Sequence, residues 1–145
     1  MKIIGPLAVM IALAAVVWIG LNAMQQNPDV HSDTNGPAAY RQAMTEAKET
    51  GKPVMVMFTA EWCGPCRQMK KNVLPSAVVQ SERSKWIWVV LDVDQPENQA
   101  LARQYGVRGI PAFFFLDSQG RQLHKITGGR PPDQFAALLR KYASN

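Results

Sequence analysis

The sequence predicts an α/β domain in which a central four-stranded mixed sheet is flanked by helices. From residue 37 onward, apolar stretches of strand length alternate with stretches of helical periodicity, in the order α-β-α-β-α-β-β-α. A crossover helix joins the first two strands, so we expect them to be parallel, whereas a short turn joins the last two into a hairpin. With 145 residues, the chain is long enough for one domain with a substantial core.

The leading helix is predicted to begin at Pro37 and to end before Gly51. Proline suits the first helical turn, and glycine suits the position after the last one. Small and apolar residues recur at helical spacing on one face: Ala39, Tyr40, Ala43, Met44 and Ala47. The stretch Val54–Thr59 follows and is apolar, partly β-branched and bounded by Pro53. It is therefore predicted to be a buried strand.

The middle of the chain is predicted to contain a helix, a second strand and another helix. Residues Arg67–Val73 include helix formers and no breaker, Leu74-Pro75 ends that helix, and residues 76–81 form another turn. The stretch Trp86–Val93 is apolar on both faces, which is typical of a parallel strand covered by helices on both sides. Glu97–Tyr105 is predicted to be a helix that ends at the glycine following it.

A hairpin and a closing helix complete the domain. Strands Ala112–Leu116 and Arg121–Thr127 are joined by the turn Asp117-Ser118-Gln119-Gly120. Asp133 is predicted to cap the closing helix. Its apolar face is formed by Phe135, Leu138, Leu139 and Tyr142. The predicted strand order in the sheet is Trp86–Val93, Val54–Thr59, Ala112–Leu116, Arg121–Thr127.

The stretch Trp62-Cys63-Gly64-Pro65-Cys66 contains the only two cysteines of the chain. It lies between the first predicted strand and the following helix, which places Cys63 at a helix N-terminus. Unpaired N–H groups and the positive end of the helix dipole stabilise an anion there, so Cys63 should ionise more readily than a free thiol. The thiolate is the nucleophile of thiol–disulfide exchange. Cys63 is therefore the candidate nucleophile, and Cys66, one turn later, is placed to resolve the mixed disulfide.

Two other interpretations of the cysteine pair are less favoured. A zinc site needs about four nitrogen or sulfur ligands, and the chain offers only His31 and His124 besides the pair. A static structural disulfide is the second alternative, but closing so short a loop removes little entropy from the unfolded chain. We expect no metal site.

Two stretches of the chain resemble the thioredoxin family. Glu61-Trp62-Cys63-Gly64-Pro65-Cys66-Arg67 is similar to the family's active site, and Tyr105-Gly106-Val107-Arg108-Gly109-Ile110-Pro111 with the strand after it is similar to a second family motif. The resemblance runs from about Ala38 to Tyr142. It implies the thioredoxin fold, with the leading helix in place of the family's first strand. Gly51-Lys52-Pro53-Val54 is also similar to exported members of disulfide-reducing systems.

The resemblance also implies the roles of individual residues. Cys63 and Cys66 would be the catalytic residues and would form a redox-active disulfide, with no other cofactor. Pro111 would follow a cis peptide bond and face that disulfide. The substrate groove would consist of Trp62, Gly64, Pro65, Ile110, Pro111 and Gly128. Protein disulfides would be the substrates.

One position departs from the family. Thioredoxins usually carry a buried acid six positions before the first cysteine, and here that position is Met57. The partnering lysine of the next strand aligns with Val90. A thioether accepts no proton from the resolving thiol, so Glu61, water or a group of the partner protein must do so, or exchange is slow.

The segment Ile3–Leu21 is uncharged and apolar. As a helix it would span about 28 Å, close to the hydrocarbon thickness of a bilayer. We favour a retained transmembrane helix, with residues 22–36 as a flexible tether and residues 37–145 as the folded domain. A cleaved signal peptide is the alternative, although cutting after Ala23 would place the bulky Leu21 where small residues are preferred.

The charges beside this segment predict its orientation. Lys2 precedes it, and no Lys or Arg follows it before Arg41. The positive-inside rule then leaves the N-terminus in the cytoplasm and exports the rest. We expect a location in a bacterial inner membrane, with the domain facing the periplasm or the cell exterior. A reductase there would need a membrane electron donor.

The formal net charge is +5, and the basic residues after residue 40 are interspersed with acidic ones. This pattern does not favour nucleic-acid binding, and we expect a monomer. The Gly64-Pro65 dipeptide resembles that of reducing thioredoxins, which favours a reductase over an oxidase. The alternative is a tethered peptide-binding or chaperone-like assembly module whose redox activity is incidental.

Overall fold

The computed structural model describes residues 36–143. Its helices are α1 (Pro37–Thr50), α2 (Gly64–Gln68), α3 (Ala77–Arg83), α4 (Pro96–Gln104) and α5 (Pro132–Tyr142). Its strands are β1 (Val54–Thr59), β2 (Ile87–Asp92), β3 (Ala112–Leu116) and β4 (Gln122–Thr127). The predicted transmembrane helix Ile3–Leu21 and the tether up to residue 35 lie outside the described residues. Within residues 36–143, no helix combines the length and apolar character needed to cross a membrane.

The four strands form one sheet in the order β2-β1-β3-β4. Strand β1 is parallel to β2 and antiparallel to β3, and β3 is antiparallel to β4. The predicted strand order and the mixed character of the sheet are both confirmed. All six residues of β1 are buried, as expected for an inner strand covered on both faces. The cysteine motif follows directly from the end of this strand.

Side chains of β1 alternate between two core layers, one on each face of the sheet. Met55 and Met57 belong to the layer that contains both cysteines, which we call the cysteine layer. Val54, Val56 and Phe58 belong to the layer beneath α1. Burying a side chain of this size contributes about 1.5–3 kcal/mol. A fully buried strand therefore supports the segment that carries the cysteines.

A hydrogen bond between two tyrosines links α1 to the end of α4. The hydroxyl oxygens of Tyr40 and Tyr105 are 2.6 Å apart, and the Tyr105 ring packs against Phe58 and Phe114. Burial, together with the hydrogen bond that it shares with Tyr40, raises the pKa of Tyr105 far above its usual value. Tyr105 therefore stays neutral at physiological pH, and its contacts hold the end of α4 against the sheet.

Three local predictions need correction. The helix predicted over Arg67–Val73 is regular only to Gln68, and Met69–Val73 forms a π-helical turn that the Leu74 amide closes onto the Met69 carbonyl at 2.9 Å. The expected turn over residues 76–81 is the helix α3. Asp133 is not the cap of α5, because the helix begins at Pro132. Its carboxylate instead lies in the first turn, where it favours the helix dipole.

Asp117 organises the turn between β3 and β4. Its side chain is 7% exposed and accepts hydrogen bonds from the Gln119 amide at 2.9 Å, the Arg121 amide at 2.8 Å and Arg121 Nε at 2.6 Å. Burial alone would raise the pKa of Asp117, but the bonds from Arg121 and Gln119 outweigh it and lower the pKa below its usual 3.8.

We expect the stabilising effect of Asp117 to be lost in acid. Because its pKa is lowered in the folded state, the carboxylate stabilises the domain above the unfolded pKa, and this contribution disappears as the pH falls through the folded pKa. Asp117→Asn should therefore be less stable than wild type at pH 7, and the gap should narrow towards pH 2. Urea midpoints of both proteins across this range test the expectation, and a constant gap would contradict it.

Candidate active site

The two cysteines flank the start of α2. Cys63 is the N-cap residue, with extended backbone dihedrals (φ −76°, ψ 104°), and Pro65 lies in the first turn. The Cys66 amide donates a hydrogen bond to Cys63 Sγ at 3.2 Å. The predicted position of Cys63 at a helix N-terminus is confirmed. An amide directed at the sulfur stabilises a thiolate more than a thiol, so reduction leaves Cys63 set for nucleophilic attack.

Cys63 and Cys66 form a disulfide, with an S–S distance of 2.01 Å. Cys63 is 4% exposed and Cys66 is fully buried. The residues around Cys63 are open to solvent, since Trp62, Gly64 and Pro65 are all exposed. An incoming sulfur therefore reaches Cys63 before Cys66. This difference in exposure favours Cys63 as the attacking thiol, and the roles of the two thiols stay predictions.

The buried position six residues before Cys63 is apolar. Met57 is fully buried in the cysteine layer and lies opposite Val90 in the parallel register of β1 and β2. Met57 and Val90 are therefore neighbours on adjacent strands. Thr59 follows on the same face of β1, and its hydroxyl has no hydrogen-bond partner in the described part of the chain. Sequence reasoning did not single out Thr59, because threonine at a strand end is unremarkable by itself.

Glu61 does not replace the missing buried acid. Its side chain is 79% exposed and forms an ion pair with Lys70 Nζ at 2.8 Å. The hydrogen bond and the positive charge of Lys70 lower the pKa of Glu61. The carboxylate is therefore ionised at neutral pH and lies in solvent, whereas the Cys66 sulfur is buried. Of the proton acceptors considered, water and a group of the partner protein remain.

Trp62 lies at the rim of the site, and a hydrogen bond to an aspartate fixes its indole ring. The residue is 68% exposed, and its Nε1 donates a hydrogen bond to Asp94 Oδ2 at 2.8 Å. Asp94 lies in the loop after β2, and its own amide donates to Asp92 Oδ1 at 2.9 Å. Asp94 could not be recognised from the sequence, because nothing in the local pattern connects two residues 32 positions apart.

A groove of about 310 Å³ opens beside Trp62. We call it the Trp62 groove, and it is lined by Trp62, Val93, Ala102, Arg103, Val107, Arg108 and Ile110, together with neighbouring residues of α4 and the loop after it. The structure thus brings together two of the predicted groove residues, Trp62 and Ile110. Gly64 lines a separate open depression with Glu61, Arg67, Gln68, Lys70 and Lys71.

The remaining predicted groove residues lie at the start and end of the hairpin and in α2. The Ile110–Pro111 peptide bond is cis, as the resemblance implied, and Pro111 is buried. The Pro111 carbonyl accepts a hydrogen bond from the Gly128 amide at 2.8 Å. Pro65 is exposed in the first turn of α2. Within residues 36–143, no group of three or more His, Cys, Asp or Glu side chains is arranged to hold a metal.

The backbone conformation at position 128 requires a glycine. Its φ is +86°, and a non-glycine residue there costs about 1–2 kcal/mol. An added Cβ would meet nothing closer than Arg130 Nη1 at 3.9 Å, so the cost would come from the backbone and not from a clash. We expect Gly128→Ala to lower the free energy of unfolding by about 1–2 kcal/mol.

Gly129→Ala is the matched control for this prediction. Gly129 does not have a positive φ, and a Cβ there would be in ordinary contact with Met69 Sδ at 3.5 Å. Denaturant unfolding of both variants and of wild type measures the difference. Equal stability losses for the two variants would show that backbone strain at Gly128 is not the cause.

Residues 40–143 match the family of thioredoxin-like domains. The chain is 33% identical to "Thioredoxin-like protein HCF164, chloroplastic" of Oryza sativa subsp. japonica over 126 residues, covering 86% of this chain and 47% of that protein. It is 32% identical to "Thiol:disulfide interchange protein DsbD" of Colwellia psychrerythraea over 108 residues, covering 71% of this chain and 18% of that protein. The chain thus spans less than half the length of either relative.

A solved structure extends the similarity to the fold. The C-terminal domain of Neisseria meningitidis DsbD, in its oxidised form, superposes with a TM-score of 0.64 at 31% identity. The superposition covers 74% of this chain and 97% of that domain. The similarity therefore includes almost the whole of a single domain of a longer protein.

Proposed function

The chain belongs to the family of thioredoxin-like domains, and we propose that it reduces disulfide bonds of exported proteins through Cys63 and Cys66. It has the thioredoxin fold, and its C-x-x-C cysteines are joined as a disulfide. The observation that carries the proposal is the position of Cys63 at the N-cap of a helix. Its sulfur accepts a hydrogen bond from the Cys66 amide, and the residues on either side of it are exposed. Such a sulfur is the attacking group of thiol–disulfide exchange.

The exchange proceeds in two displacements. The Cys63 thiolate attacks one sulfur of a substrate disulfide, forming a mixed disulfide and releasing a substrate thiolate that takes up a proton. The Cys66 thiol then loses its proton and attacks Cys63 Sγ, which restores the Cys63–Cys66 disulfide and releases the second substrate thiol. Two electrons pass from the pair to the substrate. A dithiol donor must then reduce the pair for the next cycle.

The direction and the location are the finer parts of the proposal. The Gly64-Pro65 dipeptide supports reduction, and the similarity to a relative named a thiol:disulfide interchange protein supports thiol–disulfide exchange. A reductase outside the cytoplasm then needs a membrane electron donor. The uncharged segment Ile3–Leu21 supports anchoring in a bacterial inner membrane. The domain then faces the periplasm or the cell exterior as a monomer.

A thiol-release assay tests the proposed activity. The fully reduced chain is mixed with a disulfide-bonded protein, and the free thiols of that protein are counted over time. We expect reduction by wild type and none by the double variant Cys63→Ser/Cys66→Ser. If the double variant instead supports the cellular role of the protein as well as wild type, a peptide-binding module is the correct description.

Fractionation of cells tests the proposed anchor. We expect the full chain in the membrane fraction, with an intact mass that includes Ile3–Leu21, and we expect protease added outside the inner membrane to degrade the domain. A soluble chain that begins near residue 24 would contradict anchoring but not export. Protection of the domain from external protease would contradict export.

A further inference from the structure

The Trp62 groove combines an apolar surface with two basic side chains. Trp62, Val93, Val107 and Ile110 supply its apolar part, and Arg103 and Arg108 line it as well. Both arginines are exposed, and neither takes part in a salt bridge within the described residues. The groove thus presents two guanidinium groups that are available to an incoming ligand.

The lining of the groove contains no carboxylate. One acid contacts a lining residue: Asp94 Oδ2 accepts the hydrogen bond from Trp62 Nε1 at 2.8 Å. Asp94 therefore reduces the positive potential near the indole, while Arg103 and Arg108 lie on α4 and on the loop after it. The positive charge of the groove is concentrated on the side formed by these two elements.

The dimensions of the groove fit part of a polypeptide. A volume of about 310 Å³ lies at the lower end of small-molecule sites, which span roughly 300–1,000 Å³, and it accommodates one or two side chains. An apolar side chain would contact Val93, Val107 and Ile110. A carboxylate beside it would reach a guanidinium, whose planar donors match carboxylate geometry.

We propose that the Trp62 groove selects the segment beside the target disulfide, favouring substrates with an apolar side chain next to Asp or Glu. The inference rests on the proposed function, because Trp62 directly precedes Cys63 and a segment in the groove would present its sulfur to that residue. Arg103 and Arg108 are specificity-determining residues in this scheme. Their charge raises the encounter rate with acidic segments, and salt weakens the effect.

The test uses two disulfide-bonded peptides that differ only in a Glu or a Lys beside the same leucine. We expect reduced wild type to reduce the Glu peptide about 2- to 5-fold faster at low salt, the upper part of the range for exposed charge pairs. The ratio of the two rates should approach one in Arg103→Gln/Arg108→Gln and in wild type at high salt. Arg41→Gln on α1 removes the same charge outside the groove and should keep the ratio.

A ratio near one in wild type would overturn the inference, and so would a ratio that persists in the double variant. Wild type is also assayed with bis(2-hydroxyethyl) disulfide, which is small and uncharged. This assay measures the exchange activity of the cysteines without any contribution from peptide binding in the groove. If wild type reduces no disulfide, the proposed function is wrong. In that case, calorimetry with peptides that carry serine in place of cysteine tests peptide selection by the groove. Tighter binding of the Glu peptide by wild type, but not by Arg103→Gln/Arg108→Gln, supports the inference, and equal binding of the two peptides overturns it.

Discussion

Cys63→Ser should abolish disulfide reduction, whereas Cys66→Ser should stop the reaction at the mixed disulfide. The first substitution removes the sulfur that accepts a hydrogen bond from the Cys66 amide at 3.2 Å. The loss should be on the order of a thousandfold or more, since the remaining thiol, that of Cys66, is fully buried and cannot readily form the covalent intermediate with a substrate. Cys66→Ser keeps the attacking sulfur but removes the buried group that would release the substrate.

Two measurements check these roles. The variants are incubated with a protein disulfide, quenched in acid and separated without reductant, and a mixed disulfide should accumulate only with Cys66→Ser. Alkylation of reduced wild type at neutral pH, followed by mass spectrometry, should label Cys63 first. Faster labelling of Cys66, or trapping by Cys63→Ser, would reverse the assignment of nucleophile and resolving residue.

Met57→Asp should speed exchange and lower stability. Met57 is fully buried in the layer that contains both cysteines. A carboxyl group there would have a raised pKa, because burial disfavours its charged form, and a raised pKa suits proton transfer near neutral pH. We expect the rate of disulfide reduction to rise about tenfold or more. The buried polar group should cost about 1–3 kcal/mol of stability.

The stability of Met57→Asp should depend on pH in a defined direction. A carboxyl group whose pKa is raised in the folded state favours folding below its unfolded pKa, and stability is lost as the pH rises towards the folded pKa. Met57→Asp should therefore be less stable at pH 8 than at pH 5, relative to wild type. Its gain in rate should appear as the introduced group ionises.

Met57→Asn is the matched control, since it buries a polar group of the same shape that does not titrate. It should lose stability at every pH without gaining rate. The measurements are reduction rate against pH and denaturant midpoints for the three proteins. If Met57→Asp changes neither rate nor midpoint, residue 57 does not lie beneath the cysteine pair.

Much of this fold could be predicted from the sequence because its inner strands are uninterrupted apolar stretches. Val54–Thr59 is apolar without interruption, and the structure buries every residue of it. The pairing of Met57 with Val90 followed from the family resemblance and from two adjacent parallel strands. Proline at the start and glycine after the end fixed the limits of α1, and the Gly51 φ of +73° confirms the left-handed position.

Features that depend on contacts between distant parts of the chain could not be predicted. The π-helical turn Met69–Val73 has the composition of an ordinary helix, and it turns both Met69 and Val73 into the core. The bond from Trp62 to Asp94 joins two loops that are close only after β1 and β2 pair. Similarly, Arg103 and Arg108 line one groove because α4 ends between them.

The reduction potential of the Cys63–Cys66 pair tests the central proposal most directly. The protein is equilibrated with dithiothreitol or glutathione buffers of graded potential, and the oxidised fraction is read by thiol alkylation and mass. We predict a value of about −270 mV, which is typical of reducing thioredoxins. A value near about −120 mV, which is typical of strong oxidants of exported proteins, would contradict the proposed reductase.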